Sequence, residues 1–206
     1  KKKGPCYLIL TEGDSAMTTA LSGLTVIGGK HYGIMPLRGK PLNVLDASVN
    51  QLQKNEEFKS IKKALGLEQG KTYTSLDQLR YSAILLFADA DLDGSHIKGL
   101  IINMIQTFWP SLIELGFISC IITPVIKITV GKTVYEFTSD IAFEQWKSQN
   151  PDTKISAIKY YKGLGTSSKE EAKNYFRNLQ DIVVKYTVDS TSSETINKVF
   201  AKDRSD

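Results

Sequence analysis

The sequence is poor in the residues that cross-link or span. It has two cysteines, Cys6 and Cys120, each inside an apolar run. Two such residues cannot build a disulfide framework, which points to a reducing compartment. Neither has neighbours at metal-ligand spacing, so a zinc site is not expected. No uninterrupted apolar stretch reaches the ~18–20 residues that cross a bilayer, so no membrane association is expected. Lys1-Lys2-Lys3 leads into Gly4-Pro5 and a strand-like run, which is not the pattern of a signal peptide. Internal repeats and low-complexity segments are absent. Charge of either sign is not in large excess: 26 Lys and Arg oppose 22 Asp and Glu, for a net +4. That mild basicity is compatible with a polyanionic partner without demanding one. What is present is a 41% hydrophobic fraction in 206 residues, enough for a packed core and inconsistent with a disordered chain. The length suits one domain or two small ones.

Residues 6–11 form a short apolar run that reads as a buried strand, followed by Glu12-Gly13-Asp14-Ser15-Ala16. Asp14 or Ser15 is placed to cap a helix carrying Met17, Ala20, Leu21 and Leu24. A second strand is expected at 33–37. Asn43 should open a helix running past Leu52, and an amphipathic helix should follow from Glu56 to Leu65, ending near Gly66. The strongest strand signal is 83–88, which runs straight into Asp89-Ala90-Asp91-Leu92-Asp93-Gly94. A long apolar helix from Ser95 to about Leu115 follows, broken at Pro110. This alternation predicts an α/β core with a parallel central sheet. After Ile118 the pattern becomes β-rich, with a hairpin at Gly131-Lys132, a short helix through Phe143 and Trp146, and a strand near 155–161. Gly163-Leu164-Gly165-Thr166-Ser167-Ser168 then leads into a helix over 169–179, and a polar tail ends the sequence. Two regions are expected: residues 1–125 as the α/β core and 126–206 as a β-rich extension with a helix.

The acids carry the chemistry. Asp89, Asp91 and Asp93 alternate at the carboxyl end of one apolar strand, and Glu12 and Asp14 occupy the same place after another. In a parallel sheet those ends share the edge where ligands bind. Up to five carboxylates would converge there, repelling one another and raising their pKa values. A hard divalent cation resolves that repulsion, and two could stabilise both oxygens of a phosphoryl transfer. The plainer reading, that these acids cap helices and make turns, is strong for Asp14 and Asp93 and weaker for Asp89 and Asp91 together.

Three other motifs can be tested by register. An EF-hand loop starting at Asp89 needs Glu at its twelfth position, where Leu100 stands, and needs a helix where this sequence has a strand. A P-loop fails because Gly29 follows Gly28 and His31 replaces Ser or Thr. The strand–Asp-x-Asp signature of haloacid-dehalogenase-like phosphatases fits better, with Asp91 as nucleophile and Asp93 as general acid, but it leaves Glu12 without a role.

Two basic, glycine-bearing segments add to the picture. Pro36-Leu37-Arg38-Gly39-Lys40-Pro41-Leu42-Asn43 sets two cations around a glycine, suited to holding phosphates, although a solvated turn would look similar. Lys159-Tyr160-Tyr161-Lys162-Gly163-Leu164-Gly165-Thr166 interleaves cations and aromatics ahead of two glycines. Taken alone it is most simply a strand and turn before a helix. His96 lies one turn inside the helix after the acidic loop, close to the carboxylates and to Lys98.

Together, Glu12-Gly13-Asp14-Ser15-Ala16, Pro36-Leu37-Arg38-Gly39-Lys40, Asp89-x-Asp91-x-Asp93-Gly94-Ser95-His96-Ile97-Lys98-Gly99 and Tyr160-Tyr161-Lys162-Gly163-Leu164-Gly165-Thr166 resemble, in order and approximate spacing, the TOPRIM region of type II DNA topoisomerases. Ile122-Thr123-Pro124 and the double tyrosine are closer to the eukaryotic or viral form than to bacterial gyrase B. The resemblance implies a Rossmann-like TOPRIM core and Mg²⁺ bound by Glu12, Asp89 and Asp91 with Asp93 in support; Mn²⁺ or Ca²⁺ could substitute. It implies a catalytic role for Glu12, Asp89 and Asp91, with Glu12 as acid/base near the leaving sugar oxygen. Lys40 and Asn43 would touch double-stranded DNA, with Arg38 beside the break and further contacts from His96 and Lys162. Arg38, Glu12-Gly13-Asp14 and the break would also line the pocket used by poisons of this family.

The family's reaction is ATP-driven passage of one duplex through a transient double-strand break in another. It implies a nuclear enzyme (or a host-cell compartment if viral) that is a homodimer at full length. The nucleophilic tyrosine and the ATPase domain are expected to lie outside this sequence, so the chain reads as a monomeric fragment not active alone. The competing readings are the phosphatase and a nonenzymatic nucleic-acid-binding module whose acids are structural.

Overall fold

The computed structural model describes residues 4–187. The chain opens with β1 (Tyr7–Glu12), α1 (Gly13–Ile27) and β2 (Tyr32–Leu37). Then come α2 (Val49–Lys54), α3 (Glu56–Leu65), β3 (Ala83–Phe87), α4 (Leu92–Phe108), α5 (Pro110–Glu114) and β4 (Ile118–Ile121). The antiparallel part comprises β5 (Ile126–Val130), β6 (Thr133–Phe137), α6 (Asp140–Gln149) and β7 (Ala157–Tyr160). The described chain ends with α7 (Lys169–Arg177), α8 (Leu179–Ile182) and β8 (Val183–Lys185).

The first sheet has the order β2-β1-β3-β4-β8. Its first four strands are parallel, and β8 adds an antiparallel edge beside β4. β1 and β3 read as continuous apolar runs because both of their faces are covered. Leu8, Leu10, Ile84 and Leu86 pack with Phe58, Ile61, Ile101 and Ile105 of α3 and α4. Their neighbours Ile9, Leu85 and Phe87 point the other way, onto Ala16, Ala20, Tyr175 and Phe176 of α1 and α7. The second sheet, β6-β5-β7, buries Ile126, Ile128 and Phe137 against Phe143 of α6.

Several local expectations shift. α1 begins at Gly13, one residue before Asp14, and Glu12 is its cap without a side-chain bond, so neither Asp14 nor Ser15 caps it. Residues 43–47 are not helical. Asn43 instead accepts from Leu45 N, and the helix starts after Ser48, which makes a reciprocal capping box with Gln51. α4 starts three residues earlier than expected because Asp91 caps it. The break at Pro110 is real: Trp109 leaves helical geometry there, buried, with its indole N–H bonded to Glu68 O at 2.8 Å. β8 lies in the tail that read as weakly patterned. The expected tail from 188 to 206 lies outside the described residues.

The α1–α7 contact is close enough to be tested. A Cβ on Gly23 would stand 2.1 Å from the Phe176 ring, which is itself buried. Gly23→Ala should therefore cost about 2–3 kcal/mol in urea unfolding despite alanine's better helix propensity. An unchanged midpoint would mean that α7 does not pack as described.

Candidate functional site

β1 and β3 pair in parallel from Tyr7–Ala83 to Thr11–Phe87, so Glu12 and the residues after Phe87 emerge side by side. Gly13 makes the turn out of β1 with a φ of 69°, a left-handed conformation that glycine accepts at little cost. Glu12 Oε2 accepts from Asp89 N at 3.0 Å. Burial raises the pKa of Glu12 above its ordinary value. The Asp89 N–H opposes that shift, and the charges of Asp89, Asp91 and Asp93 push it further up.

Each of the four carboxylates has found one donor. Asp89 Oδ1 accepts from Leu164 N at 2.7 Å. Asp91 Oδ1 accepts from Gly94 N at 2.8 Å, capping α4. Asp93 pairs with Lys40 at 2.8 Å, and that lysine, by hydrogen bond and charge, holds its carboxyl below the usual range. This arrangement relieves like-charge repulsion one group at a time. Accordingly, among the described residues no three His, Cys, Asp or Glu side chains form a ready-made ion cage. Asp14 is exposed on the first turn of α1, and the charges that act on Glu12 are those of Asp89, Asp91 and Asp93.

The basic loop comes to the same edge. Glu12, Gly13, Leu37, Gly39, Lys40, Asp93 and Ile97 line an open groove of about 280 Å³. Arg38, His96 and Lys162 are exposed. Asn43 is partly committed to the fold: its Oδ1 accepts from Nδ2 of the fully buried Asn103 at 3.0 Å.

Sequence reasoning missed two features. The first is the Leu164 N–H on Asp89; the glycines at 163 and 165 hinted at close backbone approach but not at its target. The second is Glu171 on α7; the Ser168-x-x-Glu171 spacing signals its capping box but not its ion pairs. It accepts from Lys159 Nζ at 2.7 Å, Tyr161 OH at 2.5 Å and Ser168 N at 2.8 Å, with Lys127 Nζ at 3.4 Å. Burial pushes the Glu171 carboxyl up, but Lys159, Tyr161 and Ser168 outweigh it and hold the carboxyl at about 2. Lys159 also lies over the Tyr161 ring, 4.5 Å from its centroid.

Comparisons with known proteins bear on the same residues. The Toprim domain family matches residues 7–121, and the C-terminal associated domain of TOPRIM matches 121–206. DNA topoisomerase 2 of Acanthamoeba polyphaga mimivirus is 52% identical across 94% of this chain and 17% of its own length. DNA topoisomerase 2-alpha of Rattus norvegicus is 46% identical across 100% of this chain and 14% of its own. The chain thus spans less than a fifth of these relatives. A solved structure, the Plasmodium falciparum topoisomerase II DNA-binding, cleavage and re-ligation domain, superposes with a TM-score of 0.90 at 43% identity, covering 97% of this chain and 28% of that one. None of these matches favours the phosphatase alternative, in which Asp91 would have to give up its cap on α4. With the acid-edged, parallel-rich sheet and matches running along nearly the whole sequence, the chain belongs to the Toprim family, in the form carried by type II DNA topoisomerases of eukaryotes and viruses.

Proposed function

We propose that the chain is the cation-binding part of the DNA cleavage and re-ligation core of an ATP-dependent type II DNA topoisomerase. The observation that supports this reading best is the bond between Asp89 N and Glu12, which joins acids 77 residues apart at one sheet edge. The donor set suits a hard cation: four carboxylates, each bonded through one oxygen, with burial first and then the like charges raising the pKa of Glu12.

Glu12, Asp89, Asp91 and Asp93 would hold Mg²⁺, for which Mn²⁺ or Ca²⁺ can stand in. When bound, the cation supplies positive charge where a phosphodiester oxygen becomes more negative. Glu12, whose carboxyl gains a proton more readily than an ordinary one, is the group suited to exchanging a proton with the sugar oxygen. Arg38, Lys40, Asn43, His96 and Lys162 would contact double-stranded DNA, with Lys40 trading Asp93 for phosphate. Residues 1–125 form the core in this reading and 126–206 the extension. The nucleophilic tyrosine and the ATP site belong to other parts of a homodimeric, nuclear or host-cell enzyme.

Titration with Mg²⁺ and Mn²⁺, followed by calorimetry and NMR, tests the reading. Resonances of Glu12, Asp89 and Asp91 should respond together and saturably. A response at Asp91 and Asp93 that leaves Glu12 silent would favour the phosphatase. In the restored full-length enzyme, Asp91→Ala should abolish metal-dependent DNA cleavage; full retention would favour the nonenzymatic binding module.

A further inference from the structure

The peptide between Gly163 and Leu164 is held from several directions. Its N–H, on Leu164, donates to Asp89 Oδ1 at 2.7 Å. The Leu164 carbonyl accepts from the buried Thr19 hydroxyl of α1 at 3.1 Å. The Leu164 side chain is buried in the core cluster beneath α1 and α7. On the N-terminal side, Tyr161 N bonds Val125 O at 2.8 Å and the Tyr161 hydroxyl bonds Glu171. Gly163 O accepts from both N–H and hydroxyl of Thr166. The loop is therefore fixed before any ligand arrives.

Its position against Asp89 leaves no room for a side chain. A Cβ on Gly163 would stand 2.4 Å from Asp89 Oδ2 and 3.0 Å from its Cγ. A Cβ on Gly94 would stand 2.2 Å from the Asp89 carbonyl oxygen. Asp89 is thus enclosed by two bare backbones, one from the first turn of α4 and one from a loop more than 70 residues later. Gly165, two residues along, is different: its Cβ would meet Ser15 Cβ at 3.5 Å, an ordinary contact.

We propose that the Gly163–Leu164 peptide is the positioning element for Asp89: the Leu164 N–H and the bare Gly163 backbone fix its carboxylate rotamer at the acid edge proposed to hold a divalent cation. Gly163 and Leu164 are positioning residues, acting through Asp89. The fixed rotamer lowers the ordering cost of coordination. The inference deepens the proposed cation site and rests on it for the affinity measurement, but not for the geometry.

The test uses the full chain with Gly163→Ala, Gly165→Ala and Asp89→Ala. Hydrogen exchange of the Leu164 amide reads the geometry without any metal. It should be protected in the unaltered chain and in Gly165→Ala, and at least tenfold faster in Gly163→Ala and Asp89→Ala. Mn²⁺ titration should show affinity reduced about 10–100-fold in Gly163→Ala and unchanged in Gly165→Ala. If Gly163→Ala does not fold, Thr19→Val, which frees the Leu164 carbonyl, should speed the same amide and weaken Mn²⁺ in the same direction. Equal effects from both glycine substitutions, or an amide indifferent to Asp89→Ala, overturn the proposal. An unaltered chain that binds no Mn²⁺ overturns the cation reading instead, while the exchange data still decide the positioning.

Discussion

Glu12→Gln should make the chain more heat-stable without divalent cation and nearly insensitive to it afterwards. The sign follows from the site. The pKa of Glu12 in the fold lies above its unfolded value, so its stabilising contribution is present at low pH and is lost as pH rises through the folded value. Near neutrality the charged form works against the fold. Glutamine is neutral and keeps an oxygen to accept from Asp89 N, so it removes the repulsion and leaves the bond. In Mg²⁺ at about 100 times its dissociation constant, the unaltered chain should gain roughly 2.7 kcal/mol. The variant should lose most of that gain, with affinity falling about 10–100-fold. Melting curves with and without Mg²⁺, for both proteins, measure the difference. A variant that melts lower than its parent in chelator, or gains as much from Mg²⁺, contradicts the placement of Glu12.

Acid should act mainly through Glu171. Its carboxyl is held at about 2, below an ordinary glutamate value of 4.5. A depressed carboxylate contributes stability above the unfolded value, and that contribution disappears as pH falls from about 4.5 toward 2. The side chain is 13% exposed, so screening removes only part of the effect, and the contribution near pH 7 is on the order of 2–3 kcal/mol. Glu171→Gln should therefore be destabilised by about that much at pH 7, with the gap closing below about pH 3. Urea unfolding of both proteins across that range gives the curve directly. A gap that is constant with pH would show that the ionised group is not what Lys159, Tyr161 and Lys127 recognise.

What could be read beforehand follows a physical divide. β1 and β3 were legible because central parallel strands must be apolar on both faces, and few other elements read Leu-Ile-Leu or Ile-Leu-Leu-Phe without a polar residue. The acid edge was legible because a strand ending in alternating aspartates has little structural reason to exist. Which acid would cap which helix was not legible. Asp14, Ser15 and Asp91 are all acceptable capping residues, yet α4 uses Asp91 while α1 starts at Gly13 with no side-chain cap. Asn43 misled for a related reason: it looks like a helix start, but its amide is engaged with Asn103, a partner 60 residues away. β8 is three residues long, and Val183-Val184-Lys185 acquires strand character only from the free edge of β4. Glu171 was legible only as the third residue of a capping box with Ser168; its other partners come from β5, β7 and Tyr161, and nothing in a line of sequence announces that meeting.

The return of the chain through α7 and β8 has one more consequence. Two families divide this sequence at residue 121, yet the layer that seals one side of the first sheet is completed from beyond that point, by Leu164, Tyr175, Phe176 and Leu179 beside Ala16, Ala20 and Leu24 of α1. A polypeptide stopped at the boundary would keep α1 on this face but leave the part of Ile9, Leu85 and Phe87 that α7 covers open to water, an apolar surface suited to sticking to its own copies. The border between the two families is thus not a border in the packing, and the first sheet closes on that side only with help from across it.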